Sequence, residues 1–235
     1  MEKALFLILI LWSQTTQQHV PFPLFAIWNV GQGLWTSLIT NESCLHIDVG
    51  GEKINWHQIL LSCKSKQNEV FLTHNDWDHM SFLKPLSQKI LKTCYHYKPL
   101  PPYTSSRKRK IIRHIKKCKT QQNKLIFSIY PFKTNFLSSS NAQSAVYIAY
   151  NQILIPGDSP QQQEKIWAPR IPRGIKILLL GHHGSASSTS KKLLQHLPQL
   201  NVAISSARKR KYGHPHFLVI QRLKANHIPL LKTED

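Results

Sequence analysis

A short stretch of the chain places imidazoles and carboxylates directly after the apolar run 70–72. It is His74-Asn75-Asp76-Trp77-Asp78-His79, which holds two of the eleven acidic residues and two of the thirteen histidines. His74 and Asp76 are two positions apart, so in extended backbone their side chains point the same way, and Asp78 and His79 join them if the chain turns. Four such ligands could hold two divalent cations, which activate water and stabilise the oxygens of an in-line displacement. The alternative is a strand followed by a capped helix start with exposed histidines.

The spacing His74-x-Asp76-x-Asp78-His79 resembles the first metal motif of the metallo-β-lactamase-fold hydrolases, in the version where an aspartate replaces the second histidine. That version is similar to the carboxy-terminal domain of the ComEC competence proteins, which handle DNA during natural transformation. Three further motifs occur in the family's order: Gly157-Asp158, Gly181-His182-His183-Gly184-Ser185 and Tyr212-Gly213-His214-Pro215. The resemblance covers about residues 25–233 and implies an α/β fold, a metallo-β-lactamase-like αβ/βα sandwich.

The resemblance also implies roles for individual residues. The metal ligands it implies are His74, Asp76, Asp78, His79, Asp158 and His182. Asp158 would bridge two ions and, with Asp78, hold the attacking water. His183 would be a ligand, an orienting group or a proton donor, and His214 would contact the scissile phosphate or protonate the leaving group. Substrate contacts are expected from Ser144, Ser185, Arg208, Lys209, Arg210, Lys211 and Tyr212. This mixed oxygen and nitrogen ligand set is compatible with Mn²⁺ as well as Zn²⁺.

Several of these residues have an ordinary structural interpretation when the family is set aside. Gly157-Asp158 would be a turn, and Ser144 a polar strand entry. The histidine pair 182–183 would be structural, and the segment 208–215 would be a surface loop before a helix. Asp48, which in the family lies under the metal site and orients it, would be a turn acid. Asn29 stands where the family has an aspartate, so the loop 29–35 is not expected to repeat the family's polar contacts.

Charge is the strongest compositional signal. The 235 residues carry 31 Lys and Arg against 11 Asp and Glu, a formal net charge of +20. Folding does not require such an excess, so it indicates a polyanionic partner, with the phosphate backbone of DNA first and an anionic membrane surface as the competing expectation. The segment Ser106–Lys119 concentrates eight cationic residues, and its isoleucines at 111, 112 and 115 predict a basic amphipathic helix.

The termini and cysteines bear on location. Within residues 1–20, Lys3 is followed by nine consecutive apolar residues. Nine are too few to span a bilayer, so this stretch predicts a signal peptide or the remnant of a membrane anchor. The hydrolase domain is then expected over residues 21–235, exported to the periplasm or beyond the cell, with membrane association left open. Four cysteines allow one or two disulfides in three connectivities, among which the sequence does not choose.

These observations lead to one hypothesis and two alternatives. The hypothesis is a metal-dependent phosphodiesterase or nuclease that acts on DNA without sequence specificity, linked through the resemblance to DNA uptake and natural competence. The first alternative is a hydrolase of the same fold that acts on a small phosphoester or thioester. The second is a non-catalytic DNA-binding module. The sequence names no protein partner.

Overall fold

The strands form two sheets in the computed structural model, which describes residues 23–96, 104–119, 125–130 and 139–234. The expected leader, residues 1–20, lies outside the described residues. In the described part of the chain no helix has both the length and the apolar composition needed to cross a membrane.

The first half of the chain forms a five-stranded sheet in the order β1-β2-β3-β4-β5. Its elements are β1 (Leu24–Ile27), β2 (Trp35–Ile39), β3 (Ser43–Val49), α1 (Trp56–Cys63), β4 (Gln67–Phe71), α2 (Trp77–Met80), α3 (Leu83–Lys89), β5 (Thr93–Tyr95) and α4 (Ser106–Arg113). β3, β4 and β5 are parallel, whereas β1 and β2 pair antiparallel. The carboxyl ends of β3 and β4 therefore lie at one edge, where Asp48 is the second-last residue of β3 and the 74–79 motif follows β4.

The second half forms a six-stranded sheet in the order β11-β10-β9-β8-β7-β6. Its elements are β6 (Ile126–Tyr130), β7 (Val146–Ala149), β8 (Ile153–Ile155), α5 (Gln161–Trp167), β9 (Ile177–Leu179), α6 (Lys191–Gln195), β10 (Val202–Ser205), α7 (Lys209–Tyr212), α8 (Phe217–Ala225) and β11 (Leu230–Lys232). β8 to β11 are parallel, so Asp158 and the histidine pair 182–183 also follow carboxyl ends of neighbouring strands.

The two sheets pack face to face, and helices cover both outer faces. The central core joins Leu45, Ile47 and Phe71 of the first sheet to Tyr147 and Ile155 of the second. A second core lies between the first sheet and α1 to α4, and a third lies between the second sheet and α5, α6 and α8. The predicted αβ/βα sandwich is confirmed.

The predicted basic helix is shorter than expected. It begins at Ser106, where the Ser105 side chain accepts from the Lys108 backbone N–H, and ends at Arg113 rather than at Lys119. The chain beyond the helix returns to the first sheet, where Lys117 forms an isolated parallel β-bridge with Tyr95 of β5. A disulfide between Cys94 and Cys118 holds this return, and a second disulfide joins Cys44 of β3 to Cys63 of α1. These tertiary constraints override the helical periodicity of residues 114–119.

Candidate metal centre

Asp48, at the end of β3, accepts three hydrogen bonds from the segment that follows β4. Its Oδ1 accepts from the Thr73 backbone N–H, and its Oδ2 accepts from Thr73 Oγ1 and His79 Nδ1, all at 2.7 Å. Since the Thr73 hydroxyl donates its proton to Asp48, it accepts from His74 Nδ1 at 3.0 Å. Both rings therefore carry the proton on Nδ1 and present the lone pair of Nε2 on the opposite side. Asp48 thus orients two candidate ligands at once.

His183 is oriented in the same way by the second half of the chain. It lies in a short turn after β9, where His182 and His183 have φ values of 49° and 57°. Non-glycine residues seldom adopt this left-handed region, and such strain is concentrated at functional sites. His183 Nδ1 donates to the carbonyl oxygen of Ser206 at 3.0 Å. Its Nε2 lone pair consequently faces Asp78 Oδ2 at 3.1 Å and His79 Nε2 at 3.3 Å.

Asp158, in the turn after β8, lies between two pairs of histidines. Its Oδ1 is 3.0 Å from His79 Nε2 and 3.7 Å from His183 Nε2. Its Oδ2 is 3.9 Å from His74 Nε2 and 3.6 Å from His182 Nε2. Each carboxylate oxygen therefore faces a different pair of ring nitrogens, which is the arrangement that a carboxylate bridging two ions requires.

Each pair of histidines has a carboxylate of its own on the solvent side. Asp76 Oδ2 lies 3.5 Å from His74 Nε2, and Asp78 contacts His183 as described above. The four groups whose ligand atoms all lie within 4.8 Å of one another are Asp78, His79, Asp158 and His183. His74 and His182 lie 3.9 and 3.6 Å from Asp158 Oδ2, and Asp76 lies 3.5 Å from His74, so these residues form a second, looser set beside the first.

The chemistry of these atoms fits a bound cation. Asp158 Oδ1 and His74 Nε2 are buried without a hydrogen-bond partner. His79 Nε2 lies 3.0 Å from that oxygen, but in the neutral ring the proton is on Nδ1, so Nε2 can bind either a second proton or a cation. The lone pairs of His79 and His183 face each other at 3.3 Å. Divalent cations such as Mn²⁺ or Zn²⁺ would remove both conflicts by accepting the lone pairs.

Electrostatics indicates the same need for positive charge. Burial raises the pKa of Asp158, but the charges of His79 and His183 outweigh burial and bring this pKa well below its ordinary value. Burial raises the pKa of Asp78 too, but the proximity of the His183 ring outweighs burial and brings this pKa below its ordinary value. Burial lowers the pKa of His79, yet Asp158 and Asp48 raise it well above its ordinary value. Ionised carboxylates thus dominate the centre and attract protons or metal ions.

Two of the predicted substrate contacts, Ser144 and Ser185, have hydrogen-bond partners within the protein. Ser144 is fully buried, and its Oγ accepts from the backbone N–H of Asp158 at 3.2 Å, so it positions the turn that carries the bridging carboxylate. Ser185 Oγ lies 3.0 Å from Ser187 Oγ in the loop after the histidine pair. His214 is nearer the ligands, because its ring stacks on His182 with centroids 6.1 Å apart.

The predicted cationic rim is paired with an acid that the sequence did not single out. Arg208 Nη1, Lys211 Nζ and the Tyr212 hydroxyl donate to Glu52 at 3.1, 2.9 and 3.0 Å. Residues 209–212 form the short helix α7 rather than a loop. Lys209 and Arg210 lie exposed on this helix.

Four other residues near the centre were not among the predicted site residues. Lys108 Nζ and Ser140 Oγ contact Asp76 Oδ1 at 3.5 and 3.0 Å, and Asn141 Nδ2 lies 3.4 Å from His182 Nε2. A Cβ on Gly50 would lie 2.4 Å from the backbone carbon of Asp78, so only glycine lets β3 approach the ligand segment. The two-glycine step after Asp48 was the one available signal among these.

Comparisons with known proteins show similarity to competence and recombination proteins. Recombination protein 2 of Haemophilus influenzae is 29% identical over 209 residues, which are 83% of this chain and 26% of that protein. Competence protein ComA of Neisseria gonorrhoeae is 23% identical over 217 residues, which are 88% of this chain and 30% of that protein. ComE operon protein 3 of Bacillus subtilis is 38% identical over 59 residues, 25% of this chain and 8% of that protein. No family model matches the chain.

Solved structures with a similar arrangement have low sequence identity. A diphosphatase of the PhnP family has a TM-score of 0.47 and 11% identity, with 87% of this chain and 82% of that chain covered. An archaeal metallo-β-lactamase superfamily protein from Sulfolobus tokodaii has a TM-score of 0.45 and 13% identity, with coverage of 86% and 95%. The chain spans about a quarter of the first relative's length. It is similar to these competence-related proteins over most of its own residues and has a metallo-β-lactamase-like αβ/βα sandwich.

Proposed function

We propose that the chain is a metal-dependent hydrolase that cleaves the phosphodiester backbone of DNA without sequence specificity. The observation that carries the proposal is the position of Asp158 between two pairs of histidine Nε2 atoms, with Asp158 Oδ1 and His74 Nε2 buried and lacking any hydrogen-bond partner. A carboxylate that bridges two ions is the feature a two-metal hydrolase needs.

The proposed ligand sets are symmetrical in their chemistry. One set is His74, Asp76, His182 and Asp158 Oδ2, and the other is Asp78, His79, His183 and Asp158 Oδ1. His183 is therefore assigned as a ligand, from the three possibilities that the sequence left open. Two divalent cations held there would supply Lewis acidity toward phosphate and nucleophilic water near neutral pH.

The residues of the chain divide the remaining tasks. Asp78 and Asp158 orient the attacking water, whose oxygen forms the new bond to phosphorus while one P–O ester bond breaks. The water proton passes to a carboxylate of the centre, and the leaving oxygen takes up a proton from solvent. Burial and the charges of His183 and His182 lower the pKa of His214, so its ring is neutral at neutral pH and would donate a hydrogen bond, not a proton, to a phosphate oxygen.

Charge and the relatives' names together favour DNA as the substrate. The net charge of +20 provides the sequence-independent attraction that phosphates require, and Lys209 and Arg210 are exposed on α7, a few residues before His214. Arg208 and Lys211 would have to exchange Glu52 for phosphate. Relatives named for recombination and competence support a role in DNA uptake. Two disulfides are typical of an oxidising compartment, and support export to the periplasm or the cell exterior.

The test is hydrolysis of plasmid and single-stranded DNA by the purified protein with Mn²⁺ or Zn²⁺, with Asp78→Asn as the ligand variant. Glu42→Gln is the matched control, because Glu42 is an exposed acid in the turn before β3. We expect cleavage that EDTA and Asp78→Asn abolish and that Glu42→Gln leaves unchanged. Absence of cleavage, or cleavage unchanged by Asp78→Asn, would refute the nuclease.

Two further measurements separate the alternatives. A hydrolase of small phosphoesters or thioesters would cleave such model esters with a rate that barely depends on salt, whereas DNA cleavage should weaken steeply with salt. A non-catalytic DNA-binding module would bind DNA but retain no metal. Metal content measured by inductively coupled plasma mass spectrometry distinguishes that case.

A further inference from the structure

A groove of about 750 Å³ lies between α3 and α4, away from the ligand atoms of the metal centre. Its first wall is one face of α3 and the residue beyond it, because Lys84, Ser87, Gln88 and Leu91 recur at intervals of three and four positions. Lys84 and Gln88 are exposed, and Leu91 exposes 90% of its surface.

The facing wall is one face of α4. Arg107, Lys110, Ile111 and His114 follow the same helical spacing, and Lys116 closes the end near β5. Of the described residues that line the groove, four carry a permanent positive charge and none is acidic. The groove therefore attracts anions.

The floor of the groove is apolar. Ile115 is buried beneath it, Ile111 is partly buried, and Leu91 projects from its margin. An apolar surface would not contribute to the binding of an inorganic anion. The combination of cationic walls with exposed apolar side chains suits a ligand that has both phosphates and flat apolar groups.

One end of the groove adjoins the metal centre. The Arg107 guanidinium lies 4.9 Å from the centre of the Trp77 ring, and Trp77 is 37% exposed. Trp77 directly follows Asp76, a candidate ligand, and Lys108 Nζ contacts Asp76 Oδ1 at 3.5 Å. A polymer that leaves the metal centre past Trp77 would thus enter the groove between α3 and α4.

We infer that this groove binds single-stranded nucleic acid and directs the strand to the metal centre. A single strand can place unstacked bases on Trp77, Leu91 and Ile111 while its phosphates contact Lys84, Arg107 and Lys110. A duplex keeps its bases stacked inside and would use the cations alone. Guidance toward the centre rests on the proposed phosphodiesterase function, whereas binding in the groove does not.

The test compares binding of a fluorescently labelled single-stranded oligonucleotide and its duplex, by anisotropy across a salt series, with EDTA present. Lys84→Ala combined with Lys110→Ala removes one cation from each wall. The matched control is Arg173→Ala combined with Lys176→Ala, since both are exposed and precede β9, at the strand end opposite the ligands. Thermal melting confirms that each variant is folded.

For single strands, the slope of log K against log salt should become shallower by about 1.4 in the groove variant, because each lost phosphate contact contributes about 0.7. The control variant should leave the slope unchanged and should alter the binding constant K by less than about twofold. Trp77→Ala should weaken single-strand binding about tenfold and leave duplex binding nearly unchanged, because the loss of a stacking platform affects unstacked bases only.

The outcomes keep this inference apart from the proposed function. Loss of single-strand binding in the groove variant without any DNA cleavage by the unaltered protein would support the groove and refute the nuclease. Cleavage together with unchanged single-strand binding in the groove variant would overturn the groove. Equal losses for duplex and single strand would overturn the assignment to single strands. Weakened binding to phosphatidylglycerol vesicles with unchanged single-strand binding would assign the groove to an anionic membrane instead.

Discussion

Replacing Asp48 by asparagine tests whether this buried carboxylate fixes the orientation of the candidate ligands His74 and His79. The carboxylate accepts from the Thr73 backbone N–H at one oxygen and from Thr73 Oγ1 and His79 Nδ1 at the other. An amide has one accepting atom, so one of these two sides must face an NH₂ group. If the NH₂ group faces His79, the ring must move its proton from Nδ1 to Nε2, where it points at the metal position.

The expected loss follows from the role of such supporting groups. Removing a partner that orients a ligating histidine typically costs 10- to 100-fold in metal affinity, or about 1.4 to 2.8 kcal/mol. Asp48 supports His79 directly and His74 through the Thr73 hydroxyl, so both ligand sets are affected. We therefore expect Asp48→Asn to fall near the upper end of this range, although Asp48 itself touches no metal.

Competition with a chromophoric chelator measures the affinity, and two-dimensional NMR of the imidazole nitrogens reports which one carries the proton. Glu42→Gln removes the same formal charge from the exposed turn before β3 and should leave both readouts unchanged. A metal affinity within twofold of the unaltered protein, with His79 still protonated on Nδ1, would show that Asp48 does not position the ligands.

Three further predictions concern the close approach at Gly50, the buried His46 and the disulfide between Cys94 and Cys118. Gly50→Ala should lower metal affinity by at least tenfold, because the added Cβ would lie 2.4 Å from the backbone carbon of Asp78. Gly174→Ala is the control, since the nearest atom to its added Cβ is 3.6 Å away. Chelator competition measures the metal affinity of both variants. Burial lowers the pKa of His46 to about 4. Since the unfolded ring binds a proton near 6.5, acidification from pH 7 to 4 should remove about 3 kcal/mol of stability, and urea titrations of His46→Gln should lack this part of the slope. Replacing both Cys94 and Cys118 by serine should cost about 3 kcal/mol in the same assay, because their disulfide closes 24 residues of separation; an unchanged midpoint would contradict this.

The order of elements was accessible from the sequence because most strands are short apolar runs bounded by turns. The segment that ends in Leu179 and the one that ends in Ile155 are examples, and both lead into chemically distinctive residues. The helix that begins at Ser106 was predicted six residues too long, since periodicity does not register a disulfide to Cys94. The pairing of the four cysteines was likewise open, because it depends on which strands become neighbours.

For the site, the motif around His74 could be recognised from its own residues, whereas Asp158 and the histidine pair 182–183 could be predicted only through the family resemblance. Asp158 and the histidine pair are ordinary turn residues until the second sheet places them opposite the motif. Glu52 illustrates the limit most clearly, because an exposed acid gives no sign in the sequence that it will meet Arg208 and Lys211 across the rim. Such contacts depend on how two loops from different halves approach each other.

The location of the ligands also links metal binding to the packing of the two sheets. The first half supplies His74, Asp76, Asp78 and His79, and the second supplies Asp158, His182 and His183, so neither half has a complete set. Ser206 strengthens the link, because its hydroxyl donates to the carbonyl of Gly33 in the first half while its own carbonyl orients His183. Cations bound between the halves would stabilise only the docked arrangement, since ligands that bind the folded state alone shift the equilibrium toward it. The central apolar core and the proposed metal centre therefore stabilise the same interface, and a substitution that loosens the core should weaken metal binding even from a distance.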